Sequence, residues 1–200
     1  MTEIERQVWL VRHGETEWSR DGRHTGQTDI PLTEMGRAQA SALGARLADH
    51  RFALILTSPR ARATETARLA GFGDVAIADP DLAEWDYGAL EGRRTVEIEA
   101  DYPGWTIWTG PWPEGETVSQ VSARADRVVT RCLAPDLGGD ALVFGHGHML
   151  RVLAARWLGL PASSGGLFGL STATVSVLGW EHGRPVIETW NDGSAAAEAS

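Results

Sequence analysis

The feature that most restricts the fold of this chain is the alternation of short apolar strand patterns with helical patterns. Four apolar strand segments are predicted at residues 8–12, 52–57, 75–78 and 141–144. Helical patterns are predicted at residues 33–50, 61–69, 117–133 and 148–158. Two further strands, at residues 174–179 and 185–190, flank EHGR and predict a hairpin. We therefore expect a three-layer α/β/α sandwich with a mostly parallel central sheet.

The chain of 200 residues is long enough for one domain with a substantial core. It has no internal repeat and no linker-like segment, so residues 1–192 are predicted to form a single domain. Residues 193–200 are small and polar, and we expect a disordered tail there.

Charge and cysteine content exclude several classes of protein. The net charge of −9 argues against a general nucleic-acid or anionic-membrane binder, because such proteins need basic surfaces. The single cysteine, Cys132, excludes an internal disulfide framework and favours a cytoplasmic location. No signal peptide or membrane span is predicted, and a homodimer is left open.

Reactive residues follow the predicted strands at the edge where ligands bind in open α/β sheets. Arg12 and His13 end the first strand, and the segment SPRARATETA follows the second. Glu84 follows the third, and GHGH, residues 145–148, follows the fourth. Four separate segments should therefore bring arginines, histidines and a carboxylate together.

These residue types suit a phosphate ester. Planar guanidinium groups match phosphoryl oxygens, and the glycines beside His13 and His146 let the backbone come close to a ligand. A histidine can attack phosphorus to give a covalent intermediate, and a carboxylic acid such as Glu84 can protonate the leaving oxygen.

The chain resembles a known family, the histidine phosphatase superfamily. Within it, the resemblance is to the branch that contains cofactor-dependent phosphoglycerate mutases and related phosphatases. The resemblance covers nearly the whole chain and rests on segments that occur in a fixed order. These segments are RHGET from Arg12, Thr25-Gly26, LTEMGRAQA, TSPRARATETA, LAEWDYGALEG and GHGHMLR.

The resemblance implies a role for each matching residue. His13 is similar to the nucleophile that becomes phosphohistidine, and Glu84 to the acid/base. Arg12 and Arg62 resemble the arginines that hold the phosphoryl oxygens, while His146 resembles a second, protonated histidine on the phosphate. Substrate contacts are assigned to Ser19, Thr25, Gly26, Gly147, Trp85 and Trp108. The family chemistry implies no metal and no cofactor.

Some residues keep a second interpretation. Arg60 and Arg68 fit a solvated helix face better than the site. Asp86 and Glu91 compete with Glu84 for the role of acid, and Glu91 fits a structural role. His146 and His148 in GHGH could ligate a metal if other histidines joined them, although we favour the phosphatase interpretation.

The chain has nine tryptophans, and three of them lie in WTIWTGPW, residues 105–112. Together with Trp85 and Tyr87, they could form an aromatic wall for the leaving group. A structural cap over the sheet edge explains them equally well.

Only 62 residues separate Glu84 from His146 (146 minus 84), which leaves little room for the extra segments of the mutases. The chain most resembles broad-specificity acid phosphatases and fungal-type sedoheptulose-1,7-bisphosphatases. This implies a phosphatase acting on sugar phosphates and other small phosphomonoesters. A phosphoglycerate mutase and a non-catalytic phosphoester-binding protein are the alternatives.

Overall fold

The computed structural model describes residues 6–193, and they contain a six-stranded sheet with the strand order β3-β2-β4-β1-β5-β6. The strands are β1 (Val8–Arg12), β2 (Phe52–Thr57), β3 (Ile77–Ala78), β4 (Asp140–Gly145), β5 (Val175–Glu181) and β6 (Arg184–Asp192). Strands β1 to β4 pair in parallel, whereas β5 and β6 form the predicted antiparallel hairpin beside β1. Residues 194–200 of the predicted tail lie outside the described residues.

Helices cover both faces of the sheet. They are α1 (Glu17–Arg20), α2 (Glu34–Leu47), α3 (Ala61–Leu69), α4 (Thr95–Asp101), α5 (Val118–Cys132) and α6 (Gly147–Trp157). Short 3₁₀ turns span Pro80–Leu82, Gly88–Leu90 and Ala162–Leu167.

Two buried clusters show why the sheet carries a helical layer on each side. Leu10 and Val143 belong to the cluster with α5 and α6, whereas the neighbouring Val11 and Leu142 belong to the cluster with α2 and α3. Successive side chains of a strand point to opposite faces, so an unbroken apolar strand must be covered twice. The predicted α/β/α architecture is confirmed.

Three details differ from the sequence prediction. The strand expected at residues 75–78 is reduced to Ile77–Ala78, an edge strand on which Ile77 is 58% exposed. Helix α2 ends at Leu47 and does not continue to residue 50. Helices α1 and α4 were not predicted, because they are only 4 and 7 residues long and depend on capping rather than apolar spacing. Helix α1 begins with a capping box of Thr16 and Ser19, and at the start of α4 the Glu97 carboxylate accepts from the Arg94 N–H.

The loop after β1 packs directly on the first turn of α2. A Cβ atom on Gly14 would lie 2.3 Å from the carbonyl oxygen of Gly36, and one on Gly36 would lie 2.1 Å from that of Glu15. Thr33 caps α2 through the Gly36 N–H, and Gln39 accepts a hydrogen bond from the Glu15 N–H at 3.0 Å. The segment LTEMGRAQA therefore holds the RHGE loop in place.

No helix within residues 6–193 is long and apolar enough to span a membrane.

The close packing of α2 on this loop predicts a specific stability defect. Gly36→Ala should lower the free energy of unfolding by about 1–3 kcal/mol, because its methyl group meets backbone that has to shift. Gly138→Ala is the matched control, since a Cβ atom there meets nothing within 4 Å. Urea denaturation of both variants measures the difference, and equal stability of the two would contradict this packing.

Candidate active site

A cavity of about 100 Å³ opens at the carboxyl ends of β1 and β4, whose last residues, Arg12 and Gly145, are register partners. The strands therefore end together, and the loops that follow them meet at one place. The residues that line the cavity are Arg12, His13, Ser19, Arg23, His24, Thr25, Glu84, Tyr87, Gly147, His148, Arg151 and Leu170.

The ring of His13 is held in one tautomer. Its Nδ1 lies 2.7 Å from the carbonyl oxygen of Gly14, and because a carbonyl only accepts, Nδ1 carries the proton. Nε2 is therefore the nitrogen with the lone pair. Burial, with the charges of Arg62 and Arg12, lowers the pKa of His13 well below its usual value, so the ring is neutral at physiological pH.

The contacts of His146 fit a neutral ring, and the protonated form expected against a bound phosphate stays a prediction. Arg62 Nε donates to His146 Nδ1 at 3.2 Å, and a guanidinium cannot accept, so Nδ1 must be the acceptor. Nε2 then carries the proton and donates to Ser58 Oγ at 2.7 Å. Burial, followed by the charge of Arg62, lowers the pKa of His146 well below its usual value.

Arg62 lies behind His13 and uses its guanidinium to hold a loop. It donates to the carbonyl oxygens of Thr25, Gly26 and Thr28 at 2.9 to 3.2 Å, in addition to His146. Both Arg62 and His146 are 0% exposed, and the rings of His13 and His146 lie 5.2 Å apart. The structure thus brings these residues together, but neither Arg62 nor His146 lines the cavity.

Arg12, by contrast, lines the cavity and has an N–H group that is free to donate to a ligand. Its Nη1 donates to the carbonyl oxygen of Leu170, while its buried Nε has no partner among the described residues. A Cβ atom on Gly147 would lie only 3.3 Å from Arg12 Cζ, which explains a glycine beside it. Burial lowers the pKa of Arg12, and an anionic ligand would offset this loss of hydration.

Three backbone N–H groups fix the carboxyl group of Glu84. Oε1 accepts from Trp85 at 2.9 Å and from Met149 at 2.8 Å, and Oε2 accepts from His148 at 3.0 Å. His148 and Met149 belong to the first turn of α6, whose N–H groups have no partner within the helix. Oε2 has one hydrogen bond and so keeps a lone pair that can exchange a proton with a ligand.

The other predicted substrate contacts divide into two groups. Ser19, Thr25 and Gly147 line the cavity, although the Ser19 hydroxyl already donates to the Thr16 carbonyl. Gly26 lies beside it, with its N–H directed at the Glu91 carboxylate. Glu91 therefore has the structural role that the sequence favoured.

The tryptophans mostly form a structural cap. Trp85 is 0% exposed and donates to the Glu116 carbonyl, so the structure places it in the core and not on the cavity wall. Trp105 is 2% exposed, and Trp112 stacks on Trp85. Trp108 lies one layer behind the cavity, against the ring of His148 at a centroid distance of 5.4 Å.

Arg23 and Arg151 line the cavity although the sequence did not point to them. Tyr87 and His148, which the sequence offered only as part of an aromatic wall and as a possible metal ligand, line it as well. Tyr87 Oη and His148 Nδ1 form a 2.6 Å hydrogen bond. One signal was available for Arg151, because it follows Gly147 by four residues on a helix and so shares its face.

No group of three or more His, Cys, Asp or Glu side chains within residues 6–193 is arranged to hold a metal ion.

The chain matches known proteins over nearly its whole length. Residues 8–193 match the profile of the "Histidine phosphatase superfamily (branch 1)". The "Acid phosphatase" of Mycobacterium tuberculosis is 43% identical over 176 residues, which are 87% of this chain and 86% of that protein. The yeast "Sedoheptulose 1,7-bisphosphatase" is 36% identical, over 76% of this chain and 67% of that protein. A "Probable phosphoglycerate mutase GpmB" of Cronobacter sakazakii is 34% identical, over 92% and 89%.

Solved structures are also similar to this chain over nearly its whole length. The structure of the Mycobacterium tuberculosis open reading frame Rv3214 superposes with a TM-score of 0.88 at 39% identity, over 94% of this chain and 97% of that one. Fold, site and relatives define an α/β enzyme of the phosphatase class. The chain belongs to the histidine phosphatase superfamily, as its motifs predicted.

The neutral histidines predict how stability depends on pH. The pKa is lowered well below its usual value in His13, His146 and His148, and to about 4 in His24, in each case chiefly by burial. Below the unfolded value of about 6.5, the unfolded chain binds more protons than the folded chain. The free energy of unfolding should therefore be constant near pH 7.5 and fall as the pH drops from about 6.5 to 5.5.

Urea denaturation in phosphate-free buffer measures this trend, and His24→Asn should flatten it because one of the four groups is removed. A free energy of unfolding that rises on acidification would contradict the neutral assignment.

Proposed function

We propose that the protein is a metal-independent phosphomonoesterase that hydrolyses small phosphorylated metabolites, above all sugar phosphates, through phosphohistidine at His13. The observation that carries this proposal is the Nδ1–H bond from His13 to Gly14. It leaves a neutral, unprotonated Nε2 on a residue that lines the cavity.

In the first step, His13 Nε2 attacks phosphorus while the bond to the leaving oxygen breaks. Arg12 holds phosphoryl oxygens through its unpaired Nε. Arg62 lies behind the cavity wall, and its proposed contact with the phosphoryl group would use the one N–H group that its four hydrogen bonds within the described residues leave over. Glu84 passes a proton from Oε2 to the departing alcohol.

In the second step, the same Glu84 oxygen accepts a proton from water as the water oxygen attacks the phosphohistidine. Inorganic phosphate leaves, and His13 returns to its neutral form. The N–H groups of Trp85, His148 and Met149 keep the carboxyl group in one orientation through both steps.

Neutral polar groups on the leaving-group side favour a polyhydroxy alcohol. Burial raises the pKa of Tyr87 well above its usual value and lowers that of His148, so their 2.6 Å hydrogen bond joins two uncharged groups. Whichever of them donates, the pair has a further donor for a ligand hydroxyl.

A phosphoglycerate mutase is the second candidate, and the 34% identity to a probable enzyme of that kind favours it. A mutase returns the phosphoryl group to its substrate and needs a bisphosphate primer. Faster isomerisation of 3-phosphoglycerate than release of phosphate would favour the mutase.

The partner in this proposal is a small phosphate ester. Neither a nucleic acid nor a membrane is proposed as a partner. A cytoplasmic location and a homodimer stay predictions from the sequence.

Phosphate release from a panel of sugar phosphates and phosphoglycerates tests the function, with and without EDTA. His13→Ala should remove turnover of every ester, because no other group replaces the nucleophile, and vanadate should inhibit the wild type. His182→Asn is the matched histidine control, since residue 182 lies in the β5–β6 turn at φ 52°, which asparagine tolerates. Equal activity of wild type and His13→Ala would refute the proposal.

The role of Glu84 predicts a dependence on the leaving group. Glu84→Gln should slow hydrolysis of alkyl phosphates by about 10²–10⁴, and that of p-nitrophenyl phosphate much less, because nitrophenolate leaves without an acid. The ratio of the two kcat/KM values is the measurement. Equal losses on both substrates would show that Glu84 only supports the structure.

A further inference from the structure

The loop that carries Glu84 is held by a part of the chain that the proposed mechanism does not use. Glu84 lies between the 3₁₀ turns at Pro80–Leu82 and Gly88–Leu90, outside any helix or strand. A loop residue has no helix or sheet ladder to fix its backbone, so other groups must hold it in place. The contacts of this loop lead to one arginine of α5, Arg124.

Arg124 holds the backbone that precedes Glu84. Its Nη1 donates to the carbonyl oxygens of Asp81 at 2.6 Å and Ala83 at 2.8 Å. The same Nη1 lies 3.6 Å from Met149 Sδ, and the Met149 N–H donates to the Glu84 carboxyl group. Arg124 therefore contacts both the segment that leads into the acid and a residue that binds its side chain.

Glu116 holds the backbone that follows Glu84. Its N–H donates to the Asp86 carbonyl oxygen at 2.9 Å, and its Oε2 accepts from the Asp86 N–H at 3.1 Å. Its carbonyl oxygen accepts from Trp85 Nε1 at 2.8 Å. Three hydrogen bonds thus connect Glu116 to the two residues after the acid.

A bidentate ion pair joins Arg124 to Glu116. Arg124 Nε donates to Glu116 Oε1 at 2.7 Å, and Nη2 donates to Oε2 at 2.6 Å. The two side chains are only 14% and 20% exposed, so salt screens this pair less than it screens an exposed one. A planar guanidinium makes such a fork and still reaches two carbonyl oxygens, which an ammonium group cannot do.

The same pair connects the acid to the tryptophan cap. Trp85 is fully buried, and its ring stacks on Trp112 while Glu116 accepts from its indole N–H. The backbone N–H of Trp85 donates to Glu84 Oε1 at 2.9 Å. A shift of Trp85 would therefore move a donor that orients the acid.

We propose that Glu116 and Arg124 together position the acid, so that Glu84 Oε2 faces the leaving oxygen of the substrate. This inference rests on the proposed function, because it concerns the proton that Glu84 transfers to that oxygen. Neither Glu116 nor Arg124 lines the cavity, and both act through the backbone at residues 83–86. A displacement of about 1 Å at a reacting group can cost about 10²-fold in rate.

The leaving group tests this positioning role. Arg124→Gln should lower kcat for glycerol 3-phosphate by about 10–10²-fold, because its alcohol leaves with the help of an acid. The loss on p-nitrophenyl phosphate should be less than about threefold, since nitrophenolate needs no acid. KM should change by less than about threefold for either ester, because the groups that bind the phosphoryl oxygens stay in place.

Arg156→Gln is the matched control. Arg156 pairs with Asp126 of the same helix, α5, and also donates to the Leu160 carbonyl oxygen, so its hydrogen bonds do not involve the acid loop. This variant should keep the wild-type ratio of the two kcat values.

A double variant separates positioning from general support of the fold. If Arg124 acts through Glu84, adding Arg124→Gln to Glu84→Gln should lower kcat for glycerol 3-phosphate by less than about threefold, because proton transfer is already lost. Equal losses in both backgrounds, or equal losses on the two esters, would overturn the proposal. If Arg124→Gln does not fold, Glu116→Gln, which keeps an acceptor for the Asp86 N–H, should give the same pattern and is judged by the same results.

Failure of the proposed function gives a different result. If wild type hydrolyses neither ester, the phosphatase proposal fails, and hydrogen exchange tests the positioning by itself. The backbone N–H groups of Trp85, His148 and Met149 should exchange at least about tenfold faster in Arg124→Gln than in wild type, and at the wild-type rate in Arg156→Gln. Unchanged exchange in Arg124→Gln would overturn the proposal.

Discussion

The guanidinium group of Arg62 is the interaction on which the rest of the site depends. It joins helix α3 to the loop at residues 25–28 and to His146 at the end of β4, three segments far apart in sequence. Because Arg62 is fully buried, removing it would leave several acceptors unpaired, at about 1–3 kcal/mol each. The same group fixes the tautomer of His146 and, after burial, is the main cause of the lowered pKa of His13.

A second set of contacts positions the loops that carry the reactive groups. Thr66 accepts a hydrogen bond from the Gly14 N–H, and Gly14 in turn orients the ring of His13. Glu84 accepts from two N–H groups at the start of α6, so the predicted acid also completes a helix terminus. The motif residues thus act largely on one another, and this restricts the geometry in which His13 and Glu84 meet a ligand.

The sequence predicted most strands of the sheet from their short apolar runs. It predicted the four main helices from apolar residues that repeat at helical spacing over more than one turn. It also predicted that Arg12, His13 and Glu84 lie together, since all three follow strands that end at one edge. It did not predict the tautomer of His146, which depends on the donor opposite its Nδ1. Nor did it separate Trp85 from the cavity wall, because burial of an aromatic ring depends on the packing of distant segments such as the Glu116 loop.

The ion pairing of Arg23 and Arg151 could not be predicted from the sequence either. Their types and positions were visible, but their lack of carboxylate partners is a property of the folded chain. Of 18 arginines, the sequence alone could not tell which would be paired on the surface and which would remain in a cavity.

The central claim is that His13 itself receives the phosphoryl group, and trapping the intermediate tests this most directly. Wild-type protein would be mixed with a phosphomonoester, quenched in base during turnover, and analysed by peptide mass spectrometry. We expect the mass of one phosphoryl group on the peptide that contains residue 13, with the fragment ions assigning it to His13. A phosphoryl group on another residue, or continued turnover with none bound to the protein, would contradict the account.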